Sequence, residues 1–169
     1  MQSIQEDMKE LREQLRAGSV QKAYKALLRY MMDLRTHFKI RYPSYSISGF
    51  YQGYMDMTYF AIVPPSLKRW GLKLAIVFNY EAFRFEGWLA GTNRRVQRKY
   101  WELFRDSRWT EYRVVRPAAG VDSIIECDLA EDVDLGDRDH LTAIIEEKAI
   151  EFIGDVERFL YDHETGSKD

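Results

Sequence analysis

Cysteine is almost missing from this chain: Cys127 is the only one in 169 residues. No intrachain disulfide can form, which fits a reducing compartment, so a cytoplasmic protein is expected. Proline is equally scarce, and Pro43, Pro64, Pro65 and Pro117 read as punctuation between elements rather than as linker composition. No apolar run approaches the roughly 20 residues of a membrane span, so no membrane partner is expected. The opening MQSIQEDMKELREQL is charged and has no apolar centre, unlike a secretory signal. An excess of one charge is lacking too. The formal net charge is −2, which gives no general reason to expect nucleic acid or an anionic membrane as partner; nucleic acid is disfavoured without being ruled out. Neither a Walker loop nor a dinucleotide fingerprint occurs, and no cofactor is expected. His37, His140 and His163 fall on separate helices with neither metal-ligand nor triad spacing, so no metal is expected. Cys127 alternates with Glu126 and Asp128, whose charges disfavour a thiolate.

What is present is a globular composition, 46% hydrophobic and 31% charged, long enough for one cored domain. That domain is expected over 1–162, with 163–169 a frayed tail. Its organising stretch is GFYQGYMDMTYFAIVPPSLKRWGLKLAIVFNYEAFRFEGWLAG, residues 49–91. Three runs in it alternate with period two. The first, Gln52 to Val63, sets Gly53, Met55, Met57, Tyr59 and Ala61 against Tyr54, Asp56, Thr58, Phe60 and Ile62. The second sets Leu72, Leu74, Ile76 and Phe78 against Lys73, Ala75 and Val77. The third sets Phe83, Phe85 and Leu89 against Arg84, Glu86 and Trp88. Alternation rich in β-branched and aromatic residues predicts half-buried strands. Pro64-Pro65 ends the first run, and Asn79-Tyr80-Glu81 is short enough for a hairpin, so the runs form an antiparallel meander.

Helices flank it. Ile4, Met8, Leu11 and Leu15 recur at helical spacing up to Gly18. Val20, Tyr24, Leu27, Leu28, Met31, Leu34 and Phe38 mark a second helix, which ends at Tyr42-Pro43. Gly91-Thr92-Asn93 starts a third, with Val96, Tyr100, Leu103 and Phe104 inward. Trp109 to Val115 and Ser123 to Leu129 read as fourth and fifth strands, and Ser44 to Ser48 as a loop. A last helix, capped by Asp137 or Asp139, has the stripe Leu141, Ile144, Ile145, Ala149, Phe152, Val156, Phe159 and Leu160. The fold class is therefore α+β: a mainly antiparallel five-stranded sheet on a three-stranded meander, with two N-terminal helices, one after the meander and one C-terminal.

Three features carry chemical possibilities. Asp56, Arg84 and Glu86 are expected on one face of the meander, where converging carboxylates would bind a divalent metal or do acid/base work. The order helix, three strands, helix, strand resembles the core of restriction-endonuclease-like nucleases, which would imply metal-dependent hydrolysis. That family's Glu-x-Lys or Gln-x-Lys pair is broken here, since Glu86-Gly87-Trp88 has no lysine, and an Asp or Glu paired with Arg84 or Lys73 on a partly wet sheet face is the preferred explanation of these residues. Thr92, Asn93, Arg94 and Arg95 combine a helix start with two guanidinium groups, a setting for a small anionic ligand bearing phosphate or carboxylate. Tyr54, with Tyr42, Tyr45, Phe50, Tyr51, Tyr59 and Phe60, belongs to an aromatic group that offers a face to a planar ligand or packs in the core. Charge is also segregated: residues 91–116 hold eight bases against three acids, and residues 117–139 hold eight acids against one base. A protein partner is the other class these charges suit.

The phrases QKAYKALLRYMMDLRTHF, YQGYMDMTYF, LKLAIVFNYEAFRFEGWLAG, VQRKYWELF and VDSIIE span nearly the whole chain. Together they resemble a family of small bacterial proteins known as a domain of unknown function. The resemblance implies a cytosolic protein and carries over no catalytic residue. A non-enzymatic binding or interaction module is the reading these features favour, with a divergent nuclease-like or other metal-dependent hydrolase using Asp56 and Glu86 as the alternative.

Overall fold

The computed structural model describes residues 3–165. In chain order the elements are α1 (Ile4–Ala17), α2 (Ser19–Arg41), β1 (Ser46–Ile47), β2 (Met57–Val63), α3 (Pro65–Arg69), β3 (Leu72–Asn79), β4 (Arg84–Gly91), α4 (Arg94–Asp106), β5 (Arg113–Val114), β6 (Ser123–Ala130) and α5 (Arg138–Thr165). The strands form one antiparallel sheet in the order β1-β2-β3-β4-β6-β5.

The meander is the β2–β3–β4 centre of that sheet. The expected count of five strands is corrected to six. The extra strand, β1, is a two-residue pairing inside the expected loop 44–48, Ser46 opposite Val63 and Ile47 opposite Ile62. So short a segment has no periodicity to read; only the free edge of β2 calls it into the sheet. The expected fourth strand shrinks to Arg113–Val114. The first run also shortens. Positive φ at Gly53 (73°) and Met55 (60°) breaks the extended chain before Met57. At the hairpin, Phe83 leaves the strand: its φ is 52° and it is 62% exposed, while Asn79 Oδ1 accepts from Ala82 N at 3.1 Å to close the turn. Proline at the first helical positions after Val63 adds α3, where only a chain break was expected. Of the expected tail, 163–165 continue α5, and 166–169 lie outside the described residues.

Strand parity decides the two faces. Phe60, Ile62, Leu74, Ile76, Phe78, Phe85, Leu89, Ile125, Cys127 and Leu129 point to one side and form a single apolar cluster with the buried residues of α2 to α5. The α2 stripe is buried at Leu27, Met31, Leu34 and Phe38, with Leu28 only half-buried. Tyr30, absent from the expected stripe, is buried, edge-on to Phe85, with its hydroxyl 3.0 Å from Thr142 Oγ1. On α5 the expected stripe is buried at Leu141, Ile145, Ala149, Phe152, Val156 and Leu160, with Ile144 and Phe159 only half-buried, and Ile153 joins it. Asp137 caps that helix by accepting from His140 N.

Helices α2 and α5 are also tied by a polar link. Glu146 Oε2 lies 2.7 Å from His37 Nε2, and Glu146 Oε1 accepts from the Tyr42 hydroxyl at 2.7 Å. Burial alone would raise the Glu146 pKa, but the bonds from Tyr42 and His37 outweigh it and hold the carboxyl below its usual range. Burial, with Glu146 beside it, pushes the Tyr42 hydroxyl up to about 12.

Two outcomes follow from this packing. Phe85 and Ile76 are fully buried, so truncating either to alanine should cost about 2–5 kcal/mol, read as a lowered urea midpoint at unchanged slope. Glu146 has a folded pKa below its unfolded one. Its contribution is therefore complete above the unfolded value of about 4.3 and is lost as pH falls through the folded value. Glu146→Gln should be less stable than the parent at neutral pH, and the gap should close in denaturation curves recorded at progressively lower pH.

Candidate functional site

The second face of the sheet is where β2, β3 and β4 send their alternate residues. Met57 and Tyr59, then Lys73, Ala75 and Val77, then Trp88 and Ala90 project there. Three of these are small and buried, so they sink below their neighbours and form a floor. Tyr59, Met57 and Trp88 rise around it. The start of α4 closes one end with Thr92, Asn93, Arg94 and Gln97, and Asp122 reaches in from before β6. The resulting cavity is about 240 Å³.

Its walls are braced. The Trp88 indole N–H donates to Glu86 Oε2 at 2.8 Å, and Arg84 Nε donates to Glu86 Oε1 at 2.8 Å. Glu86 is only 2% exposed, so its charge is compensated by the guanidinium rather than by water. Arg84 also lies 3.2 Å from Asp128, and its own pKa is raised, chiefly by the bond to Glu86. Farther along, Arg113 pairs with Glu126 at 3.1 Å, and Ser123 donates to Glu126 at 2.6 Å. Glu86 and Arg84 thus hold a wall residue in place.

The α4 end is equally committed. Asn93 Oδ1 accepts from Val96 N at 2.9 Å as the helix cap, and Thr92 N donates to Gly71 O at 2.9 Å. Arg94 donates to Gln97 Oε1 at 2.8 Å and to Val121 O at 2.6 Å, and its other nitrogen sits 3.2 Å from Asp122. Buried Gln97 donates to Val121 O at 2.8 Å. A side chain at Gly91 would place its Cβ 2.7 Å from Gln97 N, so glycine lets β4 run directly under the first turn of α4. The basic and acidic segments therefore meet in part within the chain, through Arg94–Asp122 and Arg113–Glu126.

The residues singled out in the sequence separate in space. Thr92, Asn93 and Arg94 line the cavity, and Arg95 is exposed outside it, on a shallow surface with Arg98 and Pro117. Tyr54 is 92% exposed in the turn before β2 and does not line the cavity. Asp56 lies in that same turn, accepting from Tyr54 N at 2.9 Å; this bond lowers its pKa. Asp56 precedes Tyr59 by three residues, and Tyr59 is two strands from Glu86. Asp56 thus sits in the turn before β2, and Glu86 sits on β4 with β3 between the two strands. Asp56 also has the opposite strand parity, so the register does not bring it onto the Arg84–Glu86 face. Among the described residues no group of three His, Cys, Asp or Glu side chains converges. Cys127 is in the core, where burial pushes its thiol up to about 12. No helix of the described residues is long and apolar enough to cross a membrane.

A family model described as a domain of unknown function, DUF7000, matches residues 4–160. The chain belongs to the DUF7000 family. The match covers every strand of the sheet and all of the cavity lining, so the site lies inside the family's shared region. No curated protein and no solved structure matches the chain.

Sequence reasoning missed Lys73, Trp88, Gln97 and Asp122 as cavity residues. The available signal was on the outward side of β3 and β4: Lys73, Ala75 and Ala90 put small side chains beside one long cation, where a merely wet face would carry several polar groups.

The brace predicts a non-additive pair. Arg84→Met should cost about 3–5 kcal/mol by stranding the buried Glu86 carboxylate. Adding Glu86→Gln in the same chain should recover a large part of that loss, which a double-mutant denaturation cycle measures directly.

Proposed function

We propose that this chain is a non-enzymatic binding module, and that its ligand is a small carboxylate with a flat or short apolar body, held in the cavity on the second sheet face. The observation that carries the reading is Lys73. Its side chain is half-buried in the cavity wall, and it makes no hydrogen bond or ion pair among the described residues. The other charged groups of the lining, Arg94 and Asp122, pair with each other, so Lys73 supplies the uncompensated charge. An ammonium beside aromatic and alanine surfaces favours an anion whose remainder is apolar. Tyr59 and Trp88 suit a flat body, and their aromatic faces add contact at little entropic cost. The volume of about 240 Å³ lies below the range of drug-sized sites, roughly 300–1,000 Å³, and limits the ligand to a few tens of atoms at most.

The binding reading is preferred to the hydrolase reading because Glu86 is occupied by Arg84 and Trp88, while Asp56 is occupied in its turn. Arg94 and Arg95 belong to the rim in this reading. They draw an anion toward the cavity and leave its final contact to Lys73. The one buried cysteine supports a cytoplasmic setting.

Thermal shift with a panel of aromatic and short-chain carboxylates, with the matching amides and inorganic phosphate as comparisons, tests this. Saturable stabilisation by carboxylates, absent for the amides and abolished in Lys73→Met, is the expected result. If no carboxylate stabilises the parent, or if Lys73→Met responds equally, the reading fails. Stabilisation by phosphate that depends on Arg94 and Arg95 rather than on Lys73 would move the site to the α4 start.

A further inference from the structure

α1 buries none of its residues. Its apolar side chains Ile4, Met8, Leu11 and Leu15 are 69%, 54%, 48% and 42% exposed, and the shallow groove along them is lined by α1 residues alone. The helix is nonetheless built to be a helix. Ser3 and Glu6 form a reciprocal capping box, and Gly18 ends it in the left-handed conformation at φ 81°. A helix of 14 residues without tertiary packing is marginal in water, where isolated helices shorter than roughly 12–15 residues barely form. The stripe calls for a partner.

We infer that α1 is a self-association element and that its partner is α1 of a second copy of this chain, aligned in parallel. The spacing of four, three and four residues is that of a heptad seam, with Ile4 and Leu11 at d and Met8 and Leu15 at a. That assignment places Asp7 at g and Arg12 at e. In a parallel pair, g of one helix faces e five residues on in the other, so Asp7 meets Arg12 of the other copy, twice by symmetry. An antiparallel pair would set Asp7 against Gln14 and Gln5 against Arg12, leaving both charges without an opposite. A membrane surface fits less well. Ile4–Ala17 carries four acids and three bases, whereas helices that lie on anionic lipid are rich in Lys and Arg on the polar face.

Analytical ultracentrifugation of the full chain over a wide concentration range tests the inference. A reversible dimer is expected, lost in Leu11→Glu; because no α1 side chain is buried, that variant should keep the parent's unfolding midpoint measured on the monomer. Asp7→Arg and Arg12→Asp should each weaken association on the order of tenfold, and the two together in one chain should restore it. Ile4→Cys should cross-link to itself under mild oxidation, since the parallel seam sets Ile4 against Ile4 of the other copy. A chain that stays monomeric at every concentration overturns the inference, as does a dimer indifferent to Leu11→Glu or an Ile4→Cys variant that does not cross-link. Flotation of a monomeric chain with anionic vesicles, sensitive to Leu11→Glu, would assign the stripe to lipid instead.

Discussion

The full-length pairing of β3 with β4 is the constraint on which the rest depends. Leu72 faces Gly91 at one end and Asn79 faces Arg84 at the other, with no register shift between. Side chains alternate with period two, so a slip of one residue would turn every inward group out. The register therefore assigns both faces at once. It sends Leu74, Ile76 and Phe78 into the core, and by the same step sends Lys73, Ala75 and Val77 to the cavity. The placement of Lys73 in an otherwise apolar strand is a by-product of the burial of its neighbours, and any change that moved the lysine would also unpack the core.

The two faces are held by different physics. On the helix side the rows Phe60–Ile76–Gly87–Cys127 and Ile62–Leu74–Leu89–Ile125 run across four strands and are covered by α2 and α5. Burial of apolar area is the driving term there, non-directional and tolerant of small shifts. On the other side the cross-strand groups are Glu86, Asp128, Glu126 and Arg113, with Arg84 beside them. Their attraction is offset by the cost of removing ions from water, so they contribute little net stability. What they provide is geometry: a fixed indole at Trp88 and a fixed edge beside β6. A rigid wall of this kind lowers the entropy a ligand must lose on binding.

Charge segregation along the chain has a similar resolution. Basic 91–116 and acidic 117–139, adjacent in sequence, meet in part because β5, the loop after it and β6 fold back on one another. Arg113 and Glu126 are register partners across β5 and β6. Arg94 reaches Asp122 because α4 starts where β4 ends, beside the residue that leads into β6. The opposed charges are to that extent local partners brought together by a hairpin. Arg95 and Arg98 remain exposed on the outer side of α4.

Patterning alone was enough for the meander, the α2 and α5 stripes, the start of α4 and the α+β class, since period two and period 3.6 are properties of neighbouring residues and survive in a linear reading. It was also enough for family membership, which rests on extended phrases. A strand of two residues was beyond it: β1 has no internal period and is a strand only because a neighbouring edge accepts its hydrogen bonds, and β5 was legible as a strand but not in its extent. The site was divided in the same way. Thr92, Asn93 and Arg94 were visible as a helix start, but Val121 and Asp122, the distant partners of Arg94, come from the approach to β6, and only the tertiary fold joins them. That Asp56 lies in a turn, after a positive φ at Met55, was likewise not revealed by the alternation of neighbouring side chains. The sequence determined the strands, the helices and which side chains alternate. Only the tertiary structure decided which outward residues share a cavity, because that depends on register between strands distant in the chain, and that α1 presents its apolar stripe to solvent, because spacing shows a stripe but not what covers it.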